Sequence, residues 1–173
     1  MFIFYLPAVY AIFSWSEWFV HKHVMHTALL DDSHMAHHCE TRYDMSLSFC
    51  SDSLDTDVYR GTAFSWPCTI CIAAIAWAEA ALVYAAIYGN VRVTTVTAVV
   101  LGCALYQGVM WNTVHTRMHG MRPPSVLHGA PSIGVRNMWT DYLECNHIEH
   151  HHSYGKRRFN VTLPGADFFM GTY

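Results

Sequence analysis

The sequence predicts an all-α integral membrane bundle of about three transmembrane segments, with a cytoplasmic helical cap carrying a histidine-rich di-metal site. Three observations predict it. Apolar residues make up 53% of the 173 positions against 13% charged, and they gather in long runs rather than at amphipathic spacing. The 13 histidines outnumber the 10 Lys plus Arg. Twelve of those histidines stand in short-spaced groups, and all 13 lie outside the apolar runs.

The whole chain, 1–173, reads as a single domain. Residues 2–20 form the first apolar run, long enough as a helix to cross a hydrocarbon core of about 30 Å. It has no basic leader and no small-residue cleavage site, which fits a retained anchor better than a removed signal. Residues 66–88 form the second run and 93–112 the third, the latter without a charge. The link Gly89-Asn-Val-Arg92 is a turn, so these two runs pair as a helical hairpin.

One crossing followed by a returning hairpin delivers residues 21–65 and 113–173 to the same side. All the histidines lie there, with nine of the ten Lys and Arg, and the positive-inside rule makes that side cytoplasmic. In a eukaryotic cell this would be the cytoplasmic face of the endoplasmic reticulum. Glu79, in mid-segment, reads as a protonated or helix-paired carboxyl; Glu17, beside Trp15 and Trp18, reads as an interfacial residue. The six cysteines have neither disulfide-framework nor zinc-ribbon spacing, and read as reduced packing residues. No basic stripe exists to meet a nucleic acid.

Four groups hold twelve of the histidines: His21, His23 and His26; His34, His37 and His38; His115 and His119; and His147, His150, His151 and His152. Side chains at i and i+3 or i+4 share a helix face, so His115 with His119, and His147 with His150 and His151, each aim imidazoles at a common point. Gly120 and Pro123-Pro124 stop the third helix just beyond His119. Packing these rings without metal leaves buried donors and acceptors unmatched at about 1–3 kcal/mol each. Metal ligation supplies on the order of 10 kcal/mol per tightly held ion. Ten ligand candidates exceed what one ion uses, which argues for two ions; imidazole suits zinc, iron and copper alike.

With these boxes the chain resembles the fatty acid hydroxylase and sterol desaturase superfamily. The match runs from His21 to the C-terminus, and the tail HIEHHHSYGKRRFNVTLPGADFFMGTY looks like that of the sphingolipid fatty acid 2-hydroxylases and sterol desaturases, with Asp167, Gly171 and Thr172 in its ending. The front, HKHVMH with the next box eight residues on, looks more like the carotenoid hydroxylases. The resemblance implies that His21, His26, His34, His37, His38, His115, His119, His147, His150 and His151 ligate two iron ions, for which zinc can substitute. His23 and His152 are extra to the pattern and read as outer partners of the ligands or as substitutes for them. His128 matches no box and reads as a loop residue. Fewer membrane segments precede the first box than in larger members, so the chain reads as a minimal version or one lacking an N-terminal part.

The implied chemistry is dioxygen activation and hydroxylation or desaturation of a C–H bond in a fatty acyl chain, sphingolipid or sterol, with a carotenoid ring as the alternative substrate. Two electrons per turnover must come from a separate carrier, such as cytochrome b5 or a ferredoxin with its reductase. Lys156, Arg157 and Arg158 are candidates for docking that carrier, or equally for anchoring on anionic lipid. The rival class is a histidine-rich metal transporter or metal-binding membrane protein, which would place ligands near the bilayer midplane. The stretch from Asp44 to Arg60 reads as a solvated loop.

Overall fold

The computed structural model describes residues 2–27, 32–46, 66–115, 118–119 and 137–173. His128, Gly120 and most of the Asp44–Arg60 stretch lie outside them. Every regular element among the described residues is helical. Helix α1 spans Phe2–Val20 and runs directly into a π-helical turn, His21–Met25. Helix α2 spans Asp32–Glu40, α3 Trp66–Tyr88 and α4 Val93–Val109, the last continued by a second π-helical turn, Met110–His115. Helix α5 spans Met138–His152, and α6 is a short turn of helix, Ala166–Phe169.

Among the described residues two helices are long and apolar enough to cross a membrane, Ile3–Met25 and Ile70–Tyr88. Val93–Val109 is a shorter apolar helix, so the third run is not a full-length α-helical span in its own right. Its chain does not stay α-helical to His119 as the turn signals predict. It leaves α geometry at Met110, where the π turn begins.

The three apolar helices pack on one another through Tyr5, Val9 and Phe13 of α1, Ala80, Ala81 and Tyr84 of α3, and Val96 and Val100 of α4. Alanines at the contact let the helix backbones approach closely, which is how apolar helices associate where lipid is as apolar as they are. The Tyr5 hydroxyl donates to the Ala80 carbonyl at 3.2 Å, and Trp77 Nε1 donates to Thr97 Oγ1 at 3.1 Å across the hairpin. Gly89 makes that hairpin possible: its φ of +75° is left-handed and its N–H caps Ala85 at 2.8 Å. Ile3, Phe4, Ile70, Leu82, Leu101 and Leu105 point outward, leaving large apolar side chains exposed on all three helices.

Glu79 has a partner that sequence alone does not reveal: the Ser16 hydroxyl donates to its Oε1 at 2.7 Å. Glu17 does more than sit beside two tryptophans. Its carboxylate accepts from Thr162 N (3.0 Å), Thr162 Oγ1 (2.6 Å), Leu163 N (2.9 Å), Asn160 Nδ2 (3.1 Å) and Gln107 Nε2 (3.2 Å). It thereby ties the C-terminal segment to α1 and α4. A carboxylate inside an apolar helix is costly unless so satisfied, and these five bonds are what satisfy it.

Candidate metal centre

The histidines converge where α1 and α4 end, and two short helices bring in the rest. Helix α5 starts at a capping box: the Asn137 side chain accepts from Trp139 N and Thr140 N at 2.9 Å each, and Thr140 Oγ1 accepts from Asn137 N at 3.1 Å. This fixes the phase of the helix and so the direction of His147, His150 and His151.

Two groups result. In the first, His21, His26, His34, His38 and His150 offer nitrogens that all lie within 4.8 Å of one another; in the second, His37, His115, His119 and His147 do the same. His151 joins the second group through Nε2, 3.1 Å from His147 Nε2, while its ring stacks on His38 with centroids 4.1 Å apart. All ten box histidines are therefore gathered, but each H-x-x-H-H motif is divided. His34 and His38 serve the first group and His37 the second; His147 and His151 serve the second and His150 the first. The i, i+4 pair of each box goes one way and its i+3 residue the other, so the two boxes are used in mirrored fashion.

The π turns explain the first box. In an α-helix, residues five apart diverge by about 140°, because each residue advances about 100°. His21 and His26 instead close an i to i+5 bond, His26 N to His21 O at 3.1 Å, and their rings lie 5.0 Å apart. The H-x-x-x-x-H spacing thus encodes a π turn. The second π turn similarly ends on His115, whose ring lies 5.0 Å from that of His119.

Protonation is set by three backbone carbonyls. His21 Nδ1 meets Phe159 O at 2.5 Å, His150 Nδ1 meets Arg157 O at 2.6 Å and His119 Nδ1 meets Met45 O at 2.9 Å. A carbonyl only accepts, so each Nδ1 carries the proton and each Nε2 turns a lone pair inward. Burial keeps these rings neutral: it lowers the pKa of His26 and His119 to about 4 and that of His150 to about 3. Burial, then the neighbouring imidazoles, push His37, His38, His147 and His151 down as well.

Neutral rings with inward lone pairs then face one another at short range. Nε2 to Nε2 distances are 2.9 Å for His21 and His34, 3.2 Å for His26 and His150, 3.1 Å for His38 and His150, and 3.0 Å for His119 and His147. Nitrogens bound to one ion at about 2.0–2.1 Å stand about 2.9 Å apart at right angles and about 3.4 Å apart at tetrahedral angles. The observed spacings fall in that range. Both nitrogens of buried His37, and Nδ1 of buried His147, have no hydrogen-bond partner, a state that ligation relieves for any nitrogen turned inward. The residues fit metal, and these groups could hold metal ions.

His23 and His152 sit outside both groups. His23 is exposed, against the rings of Trp18 and Phe19. His152 is exposed and stacks flat on Tyr43 at 4.4 Å, with Nε2 3.0 Å from the Tyr43 carbonyl, so it pins the loop that presents Met45 O. The basic triplet also divides. Lys156 and Arg157 are exposed, whereas Arg158 pairs with Glu149 at 3.3 Å, donates to Asn146 Oδ1 at 3.1 Å and lies over the Tyr173 ring.

The residues that sequence reasoning missed are those that hold the ligands from behind. Asp167 accepts from Phe159 N (2.9 Å), Asn160 N (2.7 Å) and Thr172 Oγ1 (2.6 Å), and so aims the Phe159 carbonyl at His21. Asn146 Nδ2 donates to Asn160 O at 2.7 Å. Gly155, at φ +66°, passes so close to His26 that no side chain fits. The one available signal was Glu17, a carboxylate inside an apolar run.

Below the first group an apolar cavity of about 150 Å³ opens between α1, α3 and α4. Its walls include Phe13, Val20, Ile72, Ala76, Val100 and Trp111, with His21 and Met25 among its lining and two polar pairs, Ser16–Glu79 and Glu17–Gln107. No family model, no curated protein and no solved structure matches the chain.

Proposed function

We propose that this chain is a membrane-bound non-haem di-iron oxygenase that hydroxylates or desaturates an unactivated C–H bond of a lipid such as a fatty acyl chain, a sphingolipid or a sterol. The observation that carries the reading is a single residue in two places: His21 belongs to the first imidazole group and also lines the apolar cavity. A substrate chain held in that cavity would end beside the metal. Two iron ions, when bound, would supply the oxidising power that side chains lack, drawn from O2 and two external electrons.

The protein's own residues do the remaining work. The carbonyls of Phe159, Arg157 and Met45 hold His21, His150 and His119 in the tautomer that ligates through Nε2. Trp111 and Phe159 lie against the His21 ring, with centroids 6.2 and 5.8 Å away, and keep water from that side. The apolar wall selects a hydrocarbon; the Ser16–Glu79 and Glu17–Gln107 pairs give it polar contacts. Electrons would come from a separate carrier on the cytoplasmic side, for which exposed Lys156 and Arg157 offer positive charge. A transport role draws less support, since the imidazoles stand at helix ends and no histidine lines the interior of α3 or α4.

The test is expression of the wild type and a His150→Ala, His151→Ala variant in one host, with lipid and carotenoid profiles compared and iron and zinc measured in both purified proteins. A lipid product present only with the wild type is expected. Identical profiles from a metal-loaded, membrane-inserted wild type would overturn the oxygenase reading in that host.

A further inference from the structure

The C-terminal segment after α5 folds back along α1. Phe159 touches His21 at the end of α1, and from there the chain descends along that helix. Asn160 Nδ2 donates to the Ser14 carbonyl at 2.7 Å, Ser14 Oγ donates to Leu163 O at 2.7 Å, and the Tyr10 hydroxyl donates to Pro164 O at 2.6 Å. It then turns at Gly165, φ +149°, and climbs until Thr172 Oγ1 accepts from Trp18 Nε1 at 2.8 Å. The deepest contacts are with Ser14 and Tyr10, six and ten residues inside the end of α1, or about 9 and 15 Å at 1.5 Å per residue.

Irregular backbone at that depth survives only when its polar groups are satisfied by the protein. Here they are met by side chains: Glu17 receives Thr162 N and Leu163 N, Ser14 Oγ receives Ala166 N, Asn160 Oδ1 receives Asp167 N, and Tyr106 donates to Thr162 O. The apolar side chains on the rising limb have no such company. Phe168 is 71% exposed and Phe169 86%.

We infer that residues 159–173 form an interfacial hairpin sunk into the outer layer of the bilayer, with Phe168 and Phe169 inserted among lipid acyl chains. The inference rests on α1 crossing the membrane, which is part of the function proposed above. The occupant is lipid because the exposed rings lie on the chain between Ala166, bonded to Ser14, and Thr172, bonded to Trp18, and so at the level of an apolar helix whose Trp15 and Phe19 also face outward. A hairpin in that place also walls the apolar cavity, to which it contributes Leu163.

Photo-crosslinking of the full chain in phosphatidylcholine vesicles tests this. Benzoylphenylalanine replaces Phe169 in one variant, Phe168 in a second, Leu82 of α3 in a third and exposed Tyr154 in a fourth, each checked for wild-type helicity. Lipid-mass adducts after irradiation are expected at 168, 169 and 82, and none at 154. Adducts at 82 but at neither 168 nor 169 would overturn the hairpin while leaving the membrane reading intact. Adducts at none of the three would overturn both, and crosslinks from 169 to a second copy of the chain would replace lipid with a protein partner.

Discussion

Gly155→Ala is the sharpest perturbation the metal centre offers. A Cβ built on Gly155 would stand 2.3 Å from His26 Cε1 and 2.8 Å from His26 Nδ1, where ordinary contact begins at 3.4 Å. The ring must retreat by about 1.1 Å, the difference between those first and last distances. Metal ligation tolerates displacements of about 0.2 Å, so His26 leaves the first group. Disturbing the support of a ligand typically costs about 10–100-fold in metal affinity, and that is the loss expected for one of two sites. The φ of +66° adds a separate backbone cost of about 1–2 kcal/mol for any L side chain. Gly89→Ala isolates that second term, because Gly89 has φ +75° and nothing within 4 Å. The assay is cobalt or zinc titration and denaturant unfolding of both variants in detergent, repeated for Gly155→Ala in a His26→Ala background. There, with the ring gone, Gly155→Ala should cost no more than Gly89→Ala. Wild-type metal affinity in Gly155→Ala would refute the placement of His26.

Because the two groups share helices but not ligands, His21→Ala and His37→Ala should each lower bound metal at saturation from two equivalents to one, by elemental analysis; two equivalents retained in either variant would count against the ligand assignment. Asp167→Ala removes two buried hydrogen bonds and one part-buried one and should destabilise the chain by about 3 kcal/mol in urea unfolding, at about 1 kcal/mol each, with a loss below 0.5 kcal/mol sinking the argument. Acid should weaken the metal-free fold. The folded pKa of His26, His119 and His150 lies below the ordinary 6.5, so the unfolded chain binds more protons between those values. Stability is then fully present above about pH 6.5 and falls as pH drops toward 4, by up to about 1.4 kcal/mol per pH unit for each ring. A flat stability between pH 7 and 5 in chelator would contradict it.

The apolar helices were legible because composition alone marks them, and the boxes because short spacings survive any fold. What escaped was direction. The i, i+3 and i+4 rule correctly puts His147, His150 and His151 on one side of α5, yet two neighbouring sites divide that side between them, and spacing carries no sign of the division. H-x-x-x-x-H looks unhelical until the π turn is seen, and π turns have no propensity signature. Backbone carbonyls such as Phe159 O and Met45 O are invisible to any residue-type pattern. Arg158 reads as surface charge, and only the positions of Glu149, Asn146 and Tyr173 turn it inward.

The mirrored use of the two H-x-x-H-H motifs has a thermodynamic consequence. Each ion would clamp α2 to α5, so the first to bind would meet the whole entropic cost of docking those helices, and the second would find its nitrogens already assembled. Loading would then be cooperative. With metal scarce, a population of chains would sort into empty and doubly filled molecules, and half-filled ones would be rare.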